Sequence, residues 1–354
     1  MRGRNLKRER YLDIARALAI IFIVVGHTLV HSEHCYYIFK MLYGFHVALF
    51  FVISGYSFKV DNLSFWAFLK KKFLRIMLPY FIWAFLFLIP YFAFGSGVGE
   101  SVGVSSSFNL KEMLLNVLYG NGNMEALKQN SSLWFLPALF SMEIIYYFVI
   151  KIIGLFKRNG ATKFILFIPI IAVAFLAAYC LKIQLPWGIN TALVMGIFFY
   201  FGWILKSIDY ADKKIFTNPL FMVSMFAFGA ASILANSLVM CIDYVYGNLV
   251  LCILSGITMA LGVFAISVKV KSCAWLEYIG RNTMGILIFH KLIIVLFQTK
   301  MGRISDLLMS SNIVTEILIS LLAVAISIAL SLIVNLLLKK ILPFTIGEKY
   351  KRAV

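Results

Sequence analysis

Long apolar stretches, broken by short polar or basic segments, run along the chain from end to end. Stretches near 20 residues are long enough to cross a bilayer as helices, and too long for barrel strands. They fall at about 11–31, 38–58, 74–94, 133–154, 163–181, 187–205, 219–239, 246–268, 276–298 and 313–338. The pattern predicts an all-α polytopic membrane protein with about ten transmembrane helices in one integral-membrane domain, 1–354, and no soluble domain. Pro186 and Gly188 at its start make the sixth span the weakest of the ten. No internal repeat is visible.

Composition removes the alternatives. The 354 residues are 62% hydrophobic and only 14% charged, with a mean hydropathy of +0.92. No water-soluble surface can be built from so few charges. The net charge of +18 would point to nucleic acid in a soluble chain. Here it reads as basic cytoplasmic loops, and no nucleic-acid partner is expected. With the N-terminus inside, alternate loops hold Lys70-Lys71-Lys72 with Arg75, Lys157-Arg158, Lys213-Lys214, Lys269 with Lys271, and the tail from Lys339 to Arg352. The other loops hold Lys40, Lys111, Lys128, Lys182, Lys300 and Arg303. This asymmetry predicts cytoplasmic N- and C-termini. A basic inner face also attracts an anionic phosphorylated cosubstrate. The first span contains Arg16 and has no small-residue cleavage site behind it, so it reads as a membrane helix rather than a signal peptide. The longest loop, about 95–132, carries a Gly/Ser-rich stretch and an amphipathic piece, Leu110–Tyr119, suited to the outer interface. The five cysteines show no pairing pattern and no metal cluster is expected.

Ionisable side chains inside a bilayer cost a few kcal/mol each and are candidates for function by default. Asp13, Arg16 and His27 lie on one helix. At 100° per residue, Arg16 and His27 are about 20° apart after three turns, and Asp13 is about 60° from Arg16. One stripe thus bears a cation near the cytoplasmic side and an imidazole about 16 Å further out. His46 in the second span and His290 in the ninth reach a similar outer depth. Few side chains other than histidine exchange protons near neutral pH. Glu143 lies near the middle of the fourth span and suits a His or Arg partner. Lys72 and Arg75 open the third span at the cytoplasmic boundary, where snorkelling anchors are also common. His31 and His34 sit at the outer mouth and are expected to be solvated.

The stretch YLDIARALAIIFIVVGHT resembles the first helix of the integral-membrane acyltransferase family, the acyltransferase 3 group, with its Arg, ten residues, then His. FHVALFFVISGYSFK resembles the second helix. Lys72-Phe-Leu-Arg75 resembles the family's Arg-x-x-Arg, with Lys in the first place, which keeps the charge and loses a bidentate fork. Ser132-Leu-Trp-Phe-Leu and Ile279-Gly-Arg-Asn-Thr-Met-Gly…His290 resemble later segments. The resemblance runs from residue 11 to about 340. It implies a ten-helix enzyme that modifies extracytoplasmic carbohydrate with an acyl group, commonly acetyl, from cytoplasmic acyl-CoA. It also implies that Arg16 and His27 are essential and that Lys72 and Arg75 serve the CoA. Some members add a soluble C-terminal domain. A chain ending in a short basic tail is expected to work alone or with a separate partner. The wording is similar to fucose and polysaccharide O-acetyltransferases.

The expected site is therefore His27, Arg16 and Asp13 for catalysis and Lys72, Arg75 and Arg16 for acyl-CoA, with acetyl-CoA as the expected cosubstrate. His46, Glu143 and His290 stand as possible helpers. His27 would serve as general base on a sugar hydroxyl, with an acyl-imidazole as the variant route, while Asp13 orients Arg16. The partners implied are membrane lipid and a surface polysaccharide, exopolysaccharide or lipid-linked glycan, at a bacterial inner membrane. Ten helices with buried histidines also suit a proton-coupled exporter, or a sensor that binds acyl-CoA without chemistry.

Overall fold

The computed structural model describes residues 9–29, 34–60, 63–89, 110–120, 130–155, 165–181, 183–270, 272–309 and 313–349. His31, the Gly/Ser-rich stretch 95–107, Lys128, Lys157-Arg158, Lys182, Lys271 and the end of the basic tail lie outside them.

The chain folds as α1 (Arg10–Thr28), α2 (Tyr36–Tyr43), α3 (His46–Ser57), α4 (Phe65–Lys72), α5 (Leu78–Leu86), α6 (Leu110–Tyr119) and α7 (Phe135–Leu155). It continues with α8 (Phe167–Tyr179), α9 (Ile189–Ser207), α10 (Pro219–Ala235), α11 (Leu249–Val270), α12 (Ala274–Arg281), α13 (Thr283–Met309) and α14 (Ile313–Ile341). The described residues form no β-strand, only an isolated bridge between Met240 and Val245. Among the described residues, six spans are long and apolar enough to cross a membrane: α1, Tyr36–Ser57, Ser131–Gly154, Pro186–Ser207, α11 and α14. A seventh is the bent pair Ala274–Arg281 and Thr283–Phe297. The protein is an all-α polytopic membrane protein.

The third, fifth and seventh expected spans do not reach that length as apolar helices. In the fifth and seventh positions stand α8 and α10, of 13 and 17 residues. In the third, α4 begins earlier, at Phe65, with Ser64 capping it through a bond from Ala67 N. It runs through a π-helical turn, Phe73–Met77, into α5. Pro79 explains the turn: it has no N–H for the carbonyl four residues back, which belongs to Arg75. Widening by one residue joins Leu78 N to Phe73 O instead. The described part of this span ends at 89, so residues 90–94 of the expected helix lie outside it.

The second and ninth expected spans are broken. Between α2 and α3 the backbone turns at Gly44 and Phe45, just before His46. The freed Gly44 carbonyl accepts from Ser255 Oγ at 3.2 Å, and the His46 ring donates to Leu42 O at 2.7 Å. The ninth bends by 82° at Asn282. Asn282 donates to Tyr278 O at 2.6 Å and accepts from Asn335 at 2.6 Å. Without water in a bilayer core, such breaks persist only where the released groups find partners like these.

Helices in lipid gain nothing from burying one apolar surface on another, so close approach and polar contacts set the packing. Glycines supply the approach. A Cβ on Gly280 would lie 1.8 Å from Asp13 O, and one on Gly55 would lie 1.8 Å from Phe199 O. Gly280→Ala should force α12 off α1 and carry Arg281 with it. The expected result is a markedly lower unfolding temperature in detergent; a variant as stable as wild type would contradict this packing. On α14, Glu316, Ser320, Ser327, Ser331 and Asn335 form a buried polar stripe, while Leu318, Leu321, Leu322 and Ile333 face outward. That inverted polarity marks a lipid-facing helix with a polar inner contact. Along the stripe, Ser327 donates to His290 O at 3.0 Å and so holds α13.

Candidate functional site

Two cavities lie along the same four elements. The basic cavity, about 330 Å³, takes Arg16 from α1, Ser54 and Ser57 from α3, Lys72 and Arg75 from α4 and the π-turn, Glu143 from α7, and Arg281 and Thr283 from the α12–α13 bend. The histidine cavity, about 50 Å³, takes His27 from α1, Tyr43 and His46 from α2–α3, Ser131 and Ser132 ahead of α7, and Lys291 from α13. Phe135 and Leu287 line both. Phe135 is packed edge-on and tilted against Phe50 and Phe51, with ring centres at 5.7 and 5.2 Å.

Asp13, 1% exposed, organises the basic cavity. Its Oδ1 accepts from Arg16 at 3.0 Å and its Oδ2 from Arg281 at 3.4 Å. Arg16 also donates to Ser57 Oγ at 2.7 Å, which ties α1 to α3. Arg281 donates to Glu277 at 2.7 Å. A single buried carboxylate therefore aims two guanidinium groups at one space. Lys72 lines the cavity but its ammonium is taken up by Glu143 at 2.7 Å and sits over the rings of Phe58 and Phe68. Expected as a contact for phosphate, Lys72 is thus engaged by a carboxylate. Glu143, expected to meet a His or Arg, meets Lys72, and its Oε2 is buried without a partner. The turn Pro343–Ile346 folds back so that Ile346, Gly347 and Glu348 close one side of the cavity. Trp83 Nε1 donates to Thr345 O at 2.8 Å to hold it there.

The three histidines expected at a similar outer depth lie close together. The His27 and His290 rings are 5.2 Å apart, and Tyr43 stands between His27 and His46 with ring distances of 6.1 and 4.8 Å. Tyr43 OH is 3.5 Å from His27 Nδ1. His290 Nδ1 faces the carbonyls of Ile286 and Leu287 at 2.8 and 3.0 Å, so it carries the proton and donates. Its Nε2 is then an acceptor, buried and without a partner. His290 is fully buried behind the cavity wall, whereas His27 and His46 line the cavity itself. His34 is not simply solvated: it meets Glu316 of α14 at 3.1 Å. Neither a disulfide nor a metal-binding cluster occurs among the described residues.

Arg281, Tyr43, Lys291 and the Pro343–Ile346 turn belong to these cavities and were not singled out from the sequence. For Lys291 a signal existed, since the cost of an intramembrane charge that marks Glu143 marks it equally. Arg281 reads as the polar edge of a span until the bend at Asn282 turns it inward.

The family model for the acyltransferase domain, the acyltransferase 3 group, matches residues 9–336, nearly the whole chain. No match was found among curated proteins or among solved structures. The chain belongs to that family and is a membrane acyltransferase, which displaces the exporter and sensor alternatives.

Proposed function

We propose that this acyltransferase moves an acyl group, acetyl in the simplest case, from cytoplasmic acyl-CoA to a hydroxyl of a cell-surface carbohydrate. The acceptor is a polysaccharide repeat or a lipid-linked glycan at a bacterial plasma membrane. In this reading ten segments cross and both termini face the cytoplasm.

One observation carries the proposal. A single helix, α1, presents Arg16 to a basic cavity and His27 to a second, smaller one eleven residues on. That is about 16 Å along a helix axis, a span suited to an extended pantetheine arm. The CoA phosphates would meet Arg75, Arg16 and Arg281 through charge-assisted hydrogen bonds. The thioester would enter the histidine cavity past Phe135 and Leu287. His27 would accept the proton of the sugar hydroxyl as its oxygen attacks the thioester carbonyl, with Tyr43 and His290 fixing the ring.

Detergent-purified protein, incubated with radiolabelled acetyl-CoA and candidate surface glycans, tests the reading. Label in the glycan supports it. Label that stays on CoA with every glycan, alongside transfer from another donor, overturns the donor assignment. Sidedness has its own test. A cysteine placed in the 95–132 loop should react with an impermeant reagent from outside, and one at position 158 should not; the reverse pattern would invert the proposed direction of transfer.

A further inference from the structure

Lys291 has no role in the scheme above, yet it shares the wall of the histidine cavity with His27 and His46. It lies one helical turn beyond Leu287, which with Phe135 lines both cavities. Its ammonium donates to Ser131 Oγ, a neutral partner. No ion pair to Lys291 forms among the described residues. The basic cavity's carboxylates, Glu143 and Glu348, pair with Lys72 and Lys339, and Asp13 pairs with Arg16 and Arg281.

The Lys291–Ser131 pair is held firmly. Asn130 donates to Ile288 O at 2.7 Å, and Ser132 Oγ to Leu287 O at 3.1 Å, so the Ser131–Trp134 turn is stitched to the same turn of α13 that carries Lys291. A cation set in an apolar wall against a hydroxyl lacks the negative charge that would compensate its desolvation. In acyl transfer such a charge appears on the carbonyl oxygen as the tetrahedral state forms, and fixed donors aimed at it lower the barrier.

We propose that Lys291, steadied by Ser131, is a further catalytic residue that donates to the thioester carbonyl oxygen during transfer. The assignment rests on the acyl-CoA reading. In the step, the acceptor oxygen bonds to the carbonyl carbon and its proton passes to His27. The carbonyl π pair moves onto oxygen, beside the Lys291 ammonium. Collapse restores the C=O bond and breaks the C–S bond, and the leaving thiolate takes the proton back from His27. The products are an ester and CoA thiol, with no oxidant or reductant required.

The competing role is capture of a carboxylate on an acidic acceptor, and a neutral surrogate acceptor separates the two. The full-length protein is assayed with acetyl-CoA and glycerol, which offers hydroxyls and no charge, together with acetyl-CoA binding. Lys291→Met should lower the rate of acetyl transfer to glycerol about 10²- to 10³-fold, the effect of removing one oxyanion donor, and leave acetyl-CoA affinity within twofold. Should the methionine variant fail to fold, Lys291→Gln carries the same expectation. Lys291→Arg should retain more activity than either. Transfer to glycerol at the wild-type rate in Lys291→Met would overturn the proposal, whether or not transfer to an acidic glycan falls. A wild-type protein that neither binds nor consumes acetyl-CoA would instead overturn the donor reading, and the assignment would fall with it.

Discussion

Replacing His27 by alanine should lower acyl transfer at least 10²-fold, the contribution typical of a general base, while acyl-CoA still binds. The two effects separate because the cations proposed for the phosphates lie in the other cavity, about 16 Å along α1. The conservative variant is more informative. His27→Gln keeps a hydrogen-bonding group beside Tyr43 OH but cannot take a proton, and should be as inactive as alanine. The sign of the pH dependence follows: protonation removes the lone pair that accepts the hydroxyl proton, so activity should fall toward acid as His27 charges. Parallel measurement of transfer rate and acyl-CoA affinity for both variants checks this. An active His27→Gln enzyme would reduce His27 to a positioning role. His46, which lines the same cavity, would then be the next base to test, ahead of the enclosed His290.

Lys72→Ala and Arg75→Ala should differ sharply, although the two residues share a motif and a cavity. Removing Lys72 leaves Glu143 as a buried carboxylate with neither oxygen bonded, since Oε2 has no partner even in the wild type. Breaking a buried pair from one side costs about 3–5 kcal/mol. Lys72→Ala should therefore unfold at markedly lower temperature, and Lys72→Ala/Glu143→Gln should recover most of that loss. Arg75→Ala should leave stability near wild type and weaken acyl-CoA binding about 10- to 100-fold, as for a lost hydrogen bond to a charged group. Thermal unfolding in detergent and acyl-CoA titration on the four proteins decide the matter. If the double variant is stable and binds acyl-CoA like wild type, Lys72 serves the fold alone.

The stripe on α1 was legible because a straight helix fixes the angle between any two of its residues. Asp13, Arg16 and His27 needed nothing more, and both cavities are built on that helix. The helical character and the membrane setting were legible for the same reason, from run length and charge. What stayed hidden depends on contacts distant in sequence. The bend at Asn282 is stabilised by Asn335, 53 residues on, and without it Arg281 reads as an ordinary boundary charge. The break before His46 is closed by Ser255 on α11. The fold-back of Pro343–Ile346 rests on Trp83, and nothing in the tail's basic composition points to it. The pairing of Lys72 with Glu143 likewise joins residues 71 apart, so a motif expected to serve the CoA contains a lysine that also meets a carboxylate.

Phe135 and Leu287 stand as a common wall between the two cavities. An energised membrane stores work as an ion gradient, and a water-filled path through the protein would discharge it. In the proposed scheme an aromatic ring and an aliphatic side chain lie across the route between the chambers, so the protein would face both compartments and remain an electrical insulator. Only a slender, uncharged rod need displace those two side chains, and the pantetheine arm of the proposed donor has that shape while its phosphates stay behind. In that scheme the donor is the stopper of its own passage, and the acyl group crosses without a hydrated ion able to follow it.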